Sequence, residues 1–154
     1  MRTVDATGDG GGAGIGGGFA GNAKNIIIRG HSKVKATARD GAAIGGGSAG
    51  WGSYYGGSAK GIVIRDHATV VAKSDGGSWL GNGCAAIGAA GNKDTEAEVI
   101  IGTPGATAAT GDVHVTATGS TLCHWQWHKR YQGHHSGQCD HPDGEHKKFH
   151  CDRK

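Results

Sequence analysis

Long apolar runs are missing from this sequence, and that absence removes a whole class of proteins. No stretch approaches the roughly 20 residues of a membrane-crossing helix, so membrane insertion is not expected. The start, Met1-Arg2-Thr3-Val4-Asp5, lacks the apolar centre of a secretion signal. Proline is scarce, with two residues, and no strict Gly-x-y triplet runs through the chain. Collagen is excluded on that ground despite 32 glycines. A large charge of one sign is lacking too. The net charge of +3 by itself argues neither for nor against nucleic acid. Asp140, Asp143, Glu145 and Asp152 dilute the basic-aromatic pattern near the C-terminus, so nucleic acid is not the expected partner. The glycine run from Gly10 to Gly18 is followed by a strand pattern, and no Gly-Lys-Ser/Thr is present, so it is no phosphate cradle. Nor is there a pair of carboxylates of the kind glycoside chemistry needs, and no enzymatic activity is expected.

What is present is a repeat. Val4-Asp5-Ala6, Val34-Lys35-Ala36, Val70-Val71-Ala72 and Val115-Thr116-Ala117 are versions of one phrase, and the first three lead to an Asp-Gly pair. Ile15-Gly16, Ile44-Gly45 and Ile87-Gly88 follow those turns. A second phrase runs from Ala23 to His31 and matches Ala59 to His67 position by position, with Ala97 to Gly102 as a degraded third copy. The β-branched runs Ile26-Ile27-Ile28, Ile62-Val63-Ile64 and Val99-Ile100-Ile101 favour strands and argue against disorder. Alternation sets Ile26, Ile28, Val34 and Ala36 on one face, and Lys35 and Thr37 outward.

Each unit thus reads as three short strands separated by turns, which is one coil of a parallel β-solenoid. The fold class expected is all-β, a short solenoid of three to four coils over residues 1–119. A Cys/His-rich irregular tail is expected over 120–154, where seven of the ten histidines and three of the four cysteines lie. Matching positions drift apart because residues are inserted at Gly47–Gly57 and Gly76–Gly83, read as loops on one side. So few coils are marginal alone, and the first enters the repeat without an evident cap. The expected partner is therefore the chain itself, by end-to-end stacking of coils, or a longer repeat array.

The phrase Ile-x-Ile-x-Gly-x-x-x-Val-x-Ala, closing on Ala-x-Ile-Gly-Gly-Gly, resembles the glycine-rich parallel β-helix repeats of bacterial surface and adhesin-like proteins. The resemblance covers about residues 4–119. It implies an extracellular or cell-surface location and a structural or adhesive role, with polysaccharide as a ligand class. It is silent about the tail.

Four constellations could carry that role. Trp51, Tyr54, Tyr55 and Trp79 lie in the inserts, where flat rings could stack on sugar faces or simply cover the flank. Lys24 with Lys60, Arg29 with Arg65 and His31 with His67 would form short basic ladders, either a polyanion site or a solvated edge. Asp9, Asp40 and Asp75 would stack as carboxylates able to hold Ca²⁺, or serve only as turn formers. In the tail, Cys123, His128, Cys139, His141, His146, His150 and Cys151 are candidate zinc ligands, although no standard finger spacing is present. Disulfides or a disordered His-rich stretch are the alternatives there. An ice-binding face is less well matched, because threonines array only at Thr116 and Thr118 with an echo at Thr37.

Overall fold

A computed structural model describes residues 1–48, 56–75, 85–90, 96–102 and 113–119, and the backbone alone of 136–140 and 146–150. Among these residues there is no helix. In chain order the strands are β1 (Arg2–Gly8), β2 (Ile15–Gly16), β3 (Ala23–Lys24), β4 (Ile27–Ile28), β5 (Ser32–Ala38), β6 (Ile44–Gly45) and β7 (Ala59–Ile64). They continue as β8 (Thr69–Ser74), β9 (Ile87–Gly88), β10 (Ala97–Ile101), β11 (His114–Gly119), β12 (Ser136–Asp140) and β13 (His146–His150).

The fold is all-β, with parallel strands in three sheets. In sheet A the order is β1-β5-β8-β11, extended by β12 in parallel and by β13 antiparallel to β12. Sheet B is β2-β6-β9, and sheet C sets β7 between β10 on one side and β3 and β4 on the other. Neighbours in each sheet come from successive repeats, so like residues lie side by side. Val4 pairs with Val34, Val34 with Val70 and Val70 with Val115. Ile15, Ile44 and Ile87 form the matching column of sheet B. Ala23, Ala59 and Ala97 begin the one in sheet C. Sheet A runs on past Gly119, which pairs with Cys139.

Alternation does the sorting in β5 and β8. Val34, Ala36, Val70 and Ala72 are buried while Lys33, Lys35, Val71 and Lys73 are exposed. The inward residues of all three sheets make one core, centred on Ile44, Ile62, Ile64 and Val70, all fully buried. Each such side chain contributes about 1.5–3 kcal/mol of apolar transfer. Alanines at 36, 43, 59, 68, 72 and 86 complete it, as a narrow interior requires.

Sheet C shows why the third copy looked degraded. Asn25 and Gly61 occupy equal positions, with φ of 57° and 70°, and each is an extra left-handed residue in its strand. The first copy is divided into β3 and β4 at this point, whereas β7 runs through Gly61. In β10 the register shifts between Ala97 and Val99, because Ala59 is three residues before Ile62 but Ala97 only two before Val99. The third copy lacks the bulge residue.

The aspartate expectation needs correction. Gly8 pairs with Ala38 and Ala38 with Ser74, and Arg39 N–H and Asp75 N–H continue these ladders onto the carbonyls of Gly8 and Ala38. The line therefore reads Asp9, Arg39, Asp75, with a cation where Asp40 was expected. The reason is spacing: Asp9 and Asp75 lie three residues after Ala6 and Ala72, whereas Asp40 lies four after Ala36. A carboxylate stack for calcium is not built here. Asp9 instead accepts the Gly10 N–H at 2.8 Å, the turn chemistry natural to Asp-Gly.

Candidate functional site

Two features of the described surface stand out, an open sheet edge and a basic corner. The edge belongs to the first repeat. Val4 is 44% exposed although Val34, Val70 and Val115, in the same column, are 5%, 0% and 8% exposed. Ala6 and Ile15 are half-buried where Ala36 and Ile44 are fully buried. Nothing differs chemically within each column. What differs is that β1 and β2 each have a neighbour on one side only among the described residues. The outer N–H and C=O groups of β1 are a template for another strand. On the opposite edge of sheet A that position is taken by β12 and β13.

The basic corner lies where sheet C turns into sheet A. Ile28 pairs with Ile64, and the Arg65 N–H donates to the Ile28 carbonyl at 2.9 Å, which sets Arg29 beside Arg65. Two residues on, the rings of His31 and His67 stack with centroids 4.9 Å apart and planes 14° from parallel. Arg65 Nε sits 3.5 Å from an Asp66 carboxylate oxygen and has no hydrogen-bond partner.

The lysine ladder is real but short. Lys24 pairs with Lys60, and in the third repeat Glu96 meets Lys60 at 2.5 Å. Hydrogen bonding to Glu96 and its charge raise the Lys60 pKa, and the same contact lowers that of Glu96. Both groups are well exposed, so the pair adds little stability. In sheet A, Lys35 lies 3.6 Å from Asp5 and Lys73 2.6 Å from Asp75. These two outward lysines thus meet opposite charges. The threonine face is broken: Thr7 and Thr37 hydroxyls meet at 3.1 Å, but Lys73 follows them in the column before Thr118.

Of the expected site residues, Arg29 and Arg65 are brought together. Trp51, Tyr54, Tyr55 and Trp79 lie outside the described residues, as do Cys123, His128, His141 and Cys151. The ends of the first insert meet, since Gly57 N–H donates to the Gly47 carbonyl at 2.7 Å. Backbone register sets Cys139 opposite Lys147, His146 opposite Asp140 and His150 opposite Ser136. Among the described residues, no three His, Cys, Asp or Glu side chains converge as metal ligands. Among the described residues no helix is long and apolar enough to cross a membrane.

Two features were not read from the sequence. Phe19, 61% exposed, lies against Gly11, and no periodicity marks it. The middle residues of the apolar triplets, Ile27, Val63 and Ile100, form an outer column of sheet C, in which Ile27 is 57% exposed. The alternation that sets Ile26 and Ile28 on one face already implies the second, with Ile27 on the other face. No family model, curated protein or solved structure matches this chain, so the likeness to β-helix repeats rests on the motif itself.

Proposed function

We propose that this chain is a structural, adhesive module: a short parallel β-solenoid that joins further copies or repeats through the β1 edge. The observation that carries the reading is the exposure of Val4 against its buried equivalents Val34 and Val70. An inward-facing column left open at one end is completed most cheaply by the next unit of the same column. That unit brings a parallel or antiparallel strand for the outer edge of β1 and an apolar cover for Val4, Ala6 and Ile15. Repeat stacks gain stability with each neighbour interface, which supplies the driving force. The setting this fits is a surface or fibre-like assembly.

Adhesion in this reading falls to the inserts. Trp51, Tyr54, Tyr55 and Trp79 are the proposed glycan contacts, since a ring with a polar handle can pack on a sugar face and bond its hydroxyls. The joining edge is tested by light scattering over a concentration series, with Val4→Lys as the comparison. An inward charge on an edge strand blocks edge pairing. Association in the parent chain and its loss in the variant are expected. A parent chain that stays monomeric over the whole series would sink the assembly reading.

A further inference from the structure

The basic corner has a construction that a merely solvated edge does not need. Strand pairing holds Arg29 beside Arg65, and the turn that follows holds His31 over His67. That turn is strained in the second repeat: Asp66 and His67 both take left-handed φ, 57° and 63°, where the first repeat uses Gly30 at 69°. Left-handed backbone is uncommon for any non-glycine residue, although Asp and His tolerate it better than most, and here two adjacent ones set the His67 ring. Arg29 makes no side-chain hydrogen bond or ion pair among the described residues. Arg65 Nε, buried, has only the long 3.5 Å contact with Asp66. The corner thus sets two guanidinium groups and two stacked imidazole rings beside one close carboxylate.

The stacked rings are not a metal site. A shared zinc needs a nitrogen of each ring about 2.0–2.1 Å from one ion, so ring edges must converge on a point. Near-parallel planes with centroids 4.9 Å apart do not converge. A nucleic acid is disfavoured by the modest net charge of +3 and by the acids Asp5, Asp66 and Glu96 paired among the basic residues.

We propose that this corner binds an acidic polysaccharide, with Arg29 and Arg65 holding carboxylate or sulfate groups and the His31–His67 pair lying against the chain beside them. Guanidinium forks suit oxyanions in two-point contacts. The two rows recur at the inter-strand spacing of about 4.8 Å, which suits a linear polymer carrying charge at regular intervals. The site needs neither the aromatic inserts nor assembly through β1, so it stands or falls apart from the adhesive reading above.

The test is fluorescence anisotropy of the full chain with a labelled sulfated, uronate-rich oligosaccharide, beside its desulfated neutral counterpart and a single-stranded DNA. The acidic oligosaccharide binds and the neutral one does not. Arg29→Ala with Arg65→Ala weakens binding about tenfold or more, the scale of one or two lost charged contacts. Arg29→Lys with Arg65→Lys keeps the charge, loses the fork and weakens it less. Lys24→Ala with Lys60→Ala, at the other end of sheet C, changes it less than about twofold. Melting curves confirm that each variant is folded, and the lysine replacements serve where the alanines are not. Equal losses for the arginine and lysine-to-alanine pairs, tighter binding of DNA, or no binding by the parent chain would each overturn the proposal.

Discussion

Gly45 lies so close to the Gly88 carbonyl that a Cβ on Gly45 would overlap its oxygen, and Gly16 stands in the same relation to Gly45. All three glycines share a positive φ, 141°, 142° and 134°. Gly16 and Gly45 are closed to every other residue by contact and by conformation together. At Gly88 the nearest atom to a Cβ is the Ala97 Cβ at 3.3 Å, and the backbone conformation carries the constraint. Gly45→Ala should therefore cost more than about 3 kcal/mol, beyond the strain of the backbone alone. Gly10→Ala is the control: its φ is 60° and nothing lies within 4 Å of a Cβ there, so about 1 kcal/mol is expected. Urea unfolding of the two variants checks the difference.

The core makes a similar contrast within sheet C. Ile64 is fully buried and Ile27 is 57% exposed, although both come from apolar triplets. Ile64→Ala should destabilise by about 2–5 kcal/mol. Ile27→Ala should stay within about 0.5 kcal/mol of the parent chain. Comparable losses would mean that the outer column of sheet C is covered.

Arg39 between Asp9 and Asp75 gives a salt-dependent prediction. Arg39→Asp sets three carboxylates in one line, and like charges on neighbouring strands cost about 0.2–1 kcal/mol per pair. The loss should be largest at low ionic strength and mostly disappear near about 0.5 M salt, where screening is short-ranged. Thermal melts at two salt concentrations decide it. Parent-chain melting should not move with calcium.

For Lys60 and Glu96 the prediction is a pH window. Glu96 titrates lower folded than unfolded, so its contribution is present above the ordinary glutamate range and fades as pH falls through the folded value. Lys60 titrates higher folded than unfolded, so its contribution is present below the ordinary lysine range and fades as pH rises through the folded value. Glu96→Gln should differ from the parent most between those limits, and the two melting profiles should converge in acid. A constant offset at every pH would show that the pair is not the cause.

Much of the architecture was legible because the repeat writes its own register. Val-x-Ala, Ile-Gly and the Ala-Lys phrase each became a column, since a parallel neighbour one repeat away presents the same residue. The errors came from counting turns instead of strand distances. Asp40 shares its Asp-Gly pair with Asp9 and Asp75 but stands one residue further from its strand, and one residue moves it out of line. The site was less legible. Sequence placed Arg29 with Arg65 and His31 with His67, but neither the ring stacking nor the left-handed turn at Asp66 and His67 is revealed by spacing. Exposure of Val4 likewise follows from β1 having a neighbour on one side only among the described residues, since its own phrase is the same as that of Val34.

Joining through the β1 edge is the central proposal, and electron microscopy of the purified chain without ligand tests it most directly. Rods or filaments longer than one stack, absent in Val4→Lys, are the predicted result. Discrete particles of single-chain size, alike in both proteins, would contradict it.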